Sequence, residues 1–214
     1  MTDFSTVKEN LEAKGFRVST FETAQAAADY LNGAIDGVSV GFGGSVTLDQ
    51  MGLYDRLAAH NNVIWHWKTE DKLAARYQAM TTDMYITSVN GLAETGELIN
   101  IDGIGNRVAA TLFGHKKVWF VVGRNKLAPT YDEALWRARN IAGPKNAQKL
   151  HKKTPCAIKA DRCYDCMHTV RTADDQHRII QHLQGPLHLC RKIHMSGRIQ
   201  KRHVKIAQYK LRLF

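Results

Sequence analysis

An α/β fold, with a mostly parallel sheet and helices on both of its faces, is what this sequence predicts, and three observations predict it. Short apolar runs of strand character alternate with segments whose apolar residues recur at helical spacing. Glycine-bearing loops stand where those runs hand over to helices, the junctions at which α/β proteins turn. With 214 residues, 44% of them hydrophobic, the chain can bury a core of one α/β domain, or of one domain with a small appendage.

The elements follow in order. Phe4, Val7 and Leu11 form a helical stripe that Gly15 can end, and "TAQAAADYLNG" is a second helix closing at Gly33. "GVSVG" at 37–41 reads as a short buried strand, followed by the helix "TLDQMGLYDRLAAH", the strand "NVIWHW", the helix "TEDKLAARYQAM" and the strand "DMYITSV". "ETGE" is a hairpin tip leading into "ELINI", which adds one antiparallel pair. A helix with Val108, Ala109, Leu112 and Phe113 on one face, the strand "KKVWFVVG" and the helix "YDEALWRARNIAG" complete the series. Thr47 with Gln50 and Thr130 with Glu133 read as capping boxes, in which a hydroxyl and a side-chain amide or carboxylate satisfy free N–H groups at a helix start.

The net charge of +10 is not spread evenly. Residues 1–150 hold 16 basic and 16 acidic side chains, so the whole excess falls in residues 151–214. That segment also holds all four cysteines and seven of the ten histidines. The composition shift sets a boundary near residue 150, between an α/β domain (1–150) and a basic Cys/His-rich extension (151–214) with a closing strand around Val204 and Ile206. The opening residues lack a signal peptide's apolar stretch, and no run is long enough to span a membrane. A cytoplasmic protein without a membrane partner is expected.

Two loops carry the chemistry of anion binding. In "GFGGSVTLDQ", Gly43 and Gly44 let backbone approach a ligand, Ser45 and Thr47 offer hydroxyls, and a helix N-terminus follows. In "DGIGNR", Gly103 and Gly105 do the same, Asn106 adds an amide, Arg107 can fork onto a carboxylate or phosphate, and Asp102 can orient Arg107 or accept from a ligand hydroxyl. Both loops are expected at one sheet edge, forming a single cradle in which Arg107 supplies the charge. Neither matches a dinucleotide or NTPase phosphate-loop pattern. Glu94 is the best-placed carboxylate for acid–base or nucleophilic work.

The cysteines are the second chemical signal. Cys163 and Cys166 form a CxxC, Cys156 lies seven residues earlier, and Cys190 is the fourth thiol. Thiols so gathered in a reducing compartment suit a metal better than disulfides, and four thiolates serve zinc or an iron–sulfur cluster alike. His168 is an alternative to Cys190 as fourth ligand.

The run "GFGGSVTLDQMGL", the long stretch "ITSVNGLAETGELINIDGIGNRVAATLFGHKKVWFVVGRNK", "RNIAGPKNAQKL" and the cysteine tail resemble the LUD-domain family, across about residues 5 to 190. The resemblance implies a fold like that of the NagB, ribose-phosphate isomerase and CoA-transferase group, whose members bind phosphosugars, CoA esters or nucleotides. It also implies a part in lactate-type organic-acid utilisation beside iron–sulfur oxidoreductase partners. Gly43, Gly44, Ser45, Asn90, Glu94, Asp102, Asn106 and Arg107 match its motifs. The long spacing from Cys166 to Cys190 departs from relatives with a cysteine tail, which puts Cys190 in doubt as the fourth ligand.

Three readings follow: binding of, or action on, a small anionic metabolite, nucleotide or CoA-like ligand; a metal or iron–sulfur accessory module; and a nucleic-acid binder through the basic tail. The third is disfavoured, because the tail has few aromatics for base stacking.

Overall fold

The computed structural model describes residues 4–165, 179–183 and 201–207. Helix α1 (Phe4–Ala13) leads into strand β1 (Arg17–Phe21), which the sequence reading passed over because the strand is half-exposed and mostly polar. Then come α2 (Ala24–Ala34), β2 (Ser39–Phe42), α3 (Val46–Gln50), α4 (Leu53–Ala58), β3 (Asn62–Trp65), α5 (Lys72–Ala79) and β4 (Met84–Thr87). The chain continues through β5 (Gly91–Ala93), β6 (Leu98–Asp102), α6 (Asn106–Leu112), β7 (Lys117–Gly123), a 3-10 turn (Arg124–Lys126) and β8 (Leu127–Ala128). Helices α7 (Tyr131–Arg137), α8 (Gly143–Lys149) and α9 (Pro155–Lys159) follow, and two further strands are β9 (Ile179–Leu183) and β10 (Lys201–Ala207).

Six strands form an all-parallel sheet in the order β1-β10-β7-β4-β2-β3. Its centre shows why both faces are covered. Along β7, Val118, Phe120 and Val122 enter one core with Phe4, Val7 and Leu11 of α1, Ala79 of α5 and Ala110 of α6. The alternate residues Trp119 and Val121 enter a second core with Ala27, Ala28 and Leu31 of α2, Leu48 of α3, and Leu53 and Leu57 of α4. This is period-two alternation with apolar residues on both sides, as a parallel sheet between helix layers requires. Each fully buried aliphatic or aromatic side chain contributes roughly 1.5–3 kcal/mol.

The "ETGE" hairpin forms as expected, with β5 and β6 antiparallel. It does not extend the main sheet, however: β5 and β6 belong to a separate four-stranded sheet, β8-β5-β6-β9. Strands β9 and β10, both from beyond residue 150, pair in the small and the large sheet respectively.

Three local expectations are corrected. The predicted helix after Gly44 breaks in two at Gly52, whose φ of +60° is left-handed. The cap of its first half is Ser45, whose Oγ accepts from the Leu48 amide, so Thr47 lies inside the first turn and no capping box with Gln50 forms. The Thr130–Glu133 box is present. The helix expected to end at Gly143 instead passes through a π-turn (Ala138–Ala142) into α8, because Pro144 has no N–H to continue the ladder and the Gly143 amide reaches back to Ala138.

At the amino ends of β2, β4 and β7, the Asp83 carboxylate accepts from the Ser39 amide (3.3 Å), the Ser39 hydroxyl (2.7 Å) and the Lys116 ammonium (2.6 Å). Lys116 first, then the Ser39 hydroxyl and amide, hold its carboxyl down at about 2. The folded value lies below the unfolded one, so the contribution to stability is complete above the ordinary carboxylate range and is lost as pH falls toward 2. Asp83→Asn should flatten that part of the acid-unfolding profile. Denaturant midpoints measured between pH 2 and pH 6 check this, and a variant with the wild-type slope would refute it.

Candidate functional site

The two glycine loops leave different sheets, β2 in the large one and β6 in the small one, and they meet at the seam between the sheets. Gly43 is needed there for space. A Cβ on it would lie 2.5 Å from Thr87 Oγ1 and 3.0 Å from the Tyr85 hydroxyl. Gly44 packs against Trp67 and against Nε2 of His66. His66 is buried, and its Nδ1 has no hydrogen-bond partner. Burial first, then Arg76, pull its pKa down to about 4, so the ring is neutral near pH 7.

Arg107 sits at the centre of the seam. One terminal nitrogen donates to the Ser88 carbonyl (3.2 Å) and Asn100 Oδ1 (2.9 Å), and the other to Asn90 Oδ1 (2.7 Å) and the Ile101 carbonyl (2.9 Å). Four protein oxygens therefore take its two terminal nitrogens, and its role in the structure is to brace β6 against the end of β4. Asp102 does not pair with the Arg107 side chain. Its Oδ2 accepts from the Arg107 and Val108 amides (2.9 and 3.2 Å), capping α6 where Gly105, at φ +92°, has no side chain to do so. Gly103 is exposed with open space beside it, and Asn106 is half-buried in the first turn of α6.

The cation that faces the seam is one the sequence reading did not single out. Lys126, on the 3-10 turn after β7, donates to Thr47 Oγ1 at 3.0 Å and to Ser88 Oγ, which in turn donates to the Val121 carbonyl at 2.6 Å. No carboxylate among the described residues pairs with it. Protein atoms crowd the ammonium, and the Arg137 and Arg107 guanidiniums face it, so its pKa falls to about 7. The side chain as a whole is half-exposed, so solvent reaches part of it. Arg137, on α7, donates from Nε to the Asn125 carbonyl (2.7 Å) and from Nη1 to the Asn90 carbonyl (2.5 Å). Fully buried Asn100 leaves its Nδ2 without an acceptor.

Thus Gly43, Gly44, Ser45, Thr47, Asn90, Asp102 and Arg107 are brought to one seam, with Ser45 and Asp102 used as helix caps. Glu94 is half-buried in the hairpin. Its backbone is fixed by the Ala128 carbonyl and by Asn10, and no hydrogen bond or ion pair among the described residues links its carboxylate to Lys126. The signal for Lys126 in the sequence was slight, a further basic residue in a basic chain. Its enclosure arises only when α3 and the end of β4 close around it.

Cys156 is buried on α9 with its sulfur 3.2 Å from Thr154 Oγ1. Cys163 is half-buried, its amide bonded to Asn140 Oδ1 at 3.1 Å. Cys166, His168 and Cys190 lie outside the described residues, and among those described no three His, Cys, Asp or Glu side chains gather as a metal site. Cys163 lines an open groove of about 310 Å³ with Asp132, Trp136, Arg139, Asn140 and Asp165. That groove carries the solvent-exposed Arg139–Asp165 ion pair and lacks the orphaned buried groups of the seam, which is the stronger candidate.

Fold and site together define an α/β protein with a six-stranded parallel sheet, a smaller mixed sheet, and a half-buried basic seam between them, among the described residues. The chain belongs to the LUD-domain family, whose model matches residues 5–190, a family associated with lactate utilisation. Among solved structures it is similar to a DUF162 family protein from Deinococcus radiodurans, 11% identical, with 95% of this chain and 94% of that one covered at a TM-score of 0.52. Ribose 5-phosphate isomerase from Plasmodium falciparum aligns over 50% of this chain and 54% of that one, at 14% identity and a TM-score of 0.31. No curated protein sequence matches. No helix among the described residues is long and apolar enough to cross a membrane.

Proposed function

We propose that the seam binds a small anionic organic metabolite, with Lys126 rather than Arg107 as the cation that meets it. The observation that carries this reading is the Lys126 ammonium, enclosed, held by two hydroxyls and given no protein carboxylate. An unpaired enclosed cation costs free energy, and a bound anion would offset that cost. The Arg137 and Arg107 charges that depress Lys126 add to the attraction. The family's association with lactate utilisation supports a carboxylate, and the neutral His66 beside Gly44 offers such a ligand an uncharged ring nitrogen.

Lys126→Met removes the cation and keeps much of the volume. The variant should stay folded, with stability within about 1 kcal/mol of wild type or above it, because a desolvated charge is gone. Its affinity should drop by about a hundredfold, the loss expected for one charge-assisted contact. Thermal-shift and calorimetric titrations with small carboxylates and phosphates test this. If no such anion stabilises the wild type, or if Lys126→Met binds equally well, the reading fails.

A further inference from the structure

The geometry points to Lys126 as a nucleophile that forms an imine with the carbonyl group of an anionic metabolite of the 2-oxo acid class, an inference that rests on the binding reading above. Two of the three positions around Nζ are committed, to Thr47 Oγ1 and Ser88 Oγ. The third has no partner among the described residues, so the nitrogen presents a single direction to an incoming group. The hydroxyls are themselves oriented: Ser88 Oγ donates onward to the Val121 carbonyl, which leaves its lone pairs toward Lys126. A lysine held only by neutral hydroxyls gives up its proton more readily than one clamped by a carboxylate, which stabilises the ammonium, and burial beside Arg137 and Arg107 favours the neutral amine further.

Groups suited to the rest of such a substrate lie in the same network. Arg137 spends Nε and Nη1 on the Asn125 and Asn90 carbonyls, which leaves its other terminal nitrogen without a protein acceptor among the described residues. The buried Nδ2 of Asn100 is likewise unpaired, and its Oδ1 is fixed by Arg107, which also holds the Ser88 carbonyl. A carboxylate supplies acceptors for both donors while the adjacent carbonyl carbon meets Nζ. The nitrogen lone pair forms the N–C bond, and the carbonyl π pair moves to oxygen, which takes a proton. The carbinolamine then loses that oxygen as water as the nitrogen gives up its remaining proton and the N=C bond forms. Amine and carbonyl give imine and water, with no oxidant or reductant needed. Near pH 7 both amine forms are populated, the protonated one attracting the anion and the neutral one attacking it.

The test uses the whole protein with glyoxylate as probe and cyanoborohydride to trap any imine, followed by peptide-mapped mass spectrometry. At pH 7 Lys126 should acquire one carboxymethyl group at least about tenfold faster than any other lysine, since ordinary lysines stay protonated there. Lys126→Arg, which keeps the charge but cannot form the imine, should lose that adduct while still being stabilised by glyoxylate. Stabilisation of the wild type without preferential labelling at Lys126 would overturn the imine and leave the binding reading standing. Neither stabilisation nor labelling would overturn both.

Discussion

Arg107→Ala should cost about 2–4 kcal/mol of folding stability, the range for leaving several half-buried or buried acceptors without the donor that serves them. Two of the four oxygens it serves are backbone carbonyls, of Ser88 and Ile101, and two are the amide oxygens of Asn90 and Asn100. Asn100 is fully buried and already has one orphaned amide nitrogen, so truncation leaves its whole side chain without a partner. At about 2–4 °C per kcal/mol for a chain of this size, the melting temperature should fall by on the order of 10 °C. Arg107→Lys should recover little, because a single ammonium cannot present two parallel donor edges to four oxygens. Chemical denaturation measures the loss, and a variant within 1 kcal/mol of wild type would show that the four contacts are dispensable. The contrast with Lys126 is the useful part: neighbouring cations in one seam, of which removing the first should lower stability and removing the second should weaken binding while leaving stability nearly unchanged.

The second large effect is expected at Gly91. A Cβ there would stand 2.5 Å from the carbonyl oxygen of Ala134, a backbone atom that no rotamer change can move. β5 and α7 pack at that point, so Gly91→Ala must push the helix off the strand, at a cost of about 1–3 kcal/mol or more. The displaced helix carries Arg137, whose bonds to Asn90 and Asn125 tie α7 to the seam. Ligand affinity should therefore fall along with stability. Gly33, inside α2 with nothing within 4 Å of its Cβ position, is the control: Gly33→Ala should stabilise by about 0.5–1 kcal/mol. Equal effects at the two positions would mean that the Gly91 contact relaxes freely.

Much of the architecture was legible because apolar periodicity reports burial directly. β7 is the clearest case, its alternate residues filling two cores. β1 escaped notice because an edge strand with an exposed, polar pattern carries no such signal. The hairpin was legible in "ETGE", but its membership in a second sheet was not, since the pairing of β5 with β8 and of β6 with β9 depends on residues far away in the chain. At the site, the loop chemistry picked out residues that the structure gathers at one seam, but not which oxygens the Arg107 side chain meets. Sequence shows that Arg107 can fork onto oxygens. Whether those oxygens belong to a ligand or to Asn90, Asn100, Ser88 and Ile101 is a matter of tertiary closure, as is the seclusion of Lys126.

The position of β10 bears on how the protein comes to be made. Strand β1 touches the large sheet only through β10, which lies between it and β7. While the ribosome is still threading residues 124 to 200, the first strand lacks its neighbour β10 and β7 shows a bare, strongly apolar edge. A nascent chain in that condition can fold its middle early, but it cannot seal the sheet until residues 201–207 emerge. The long interval leaves an open strand edge that a chaperone could shield or another copy could pair with by mistake. Among the described strands, the one made last is therefore the one that joins the first to the sheet.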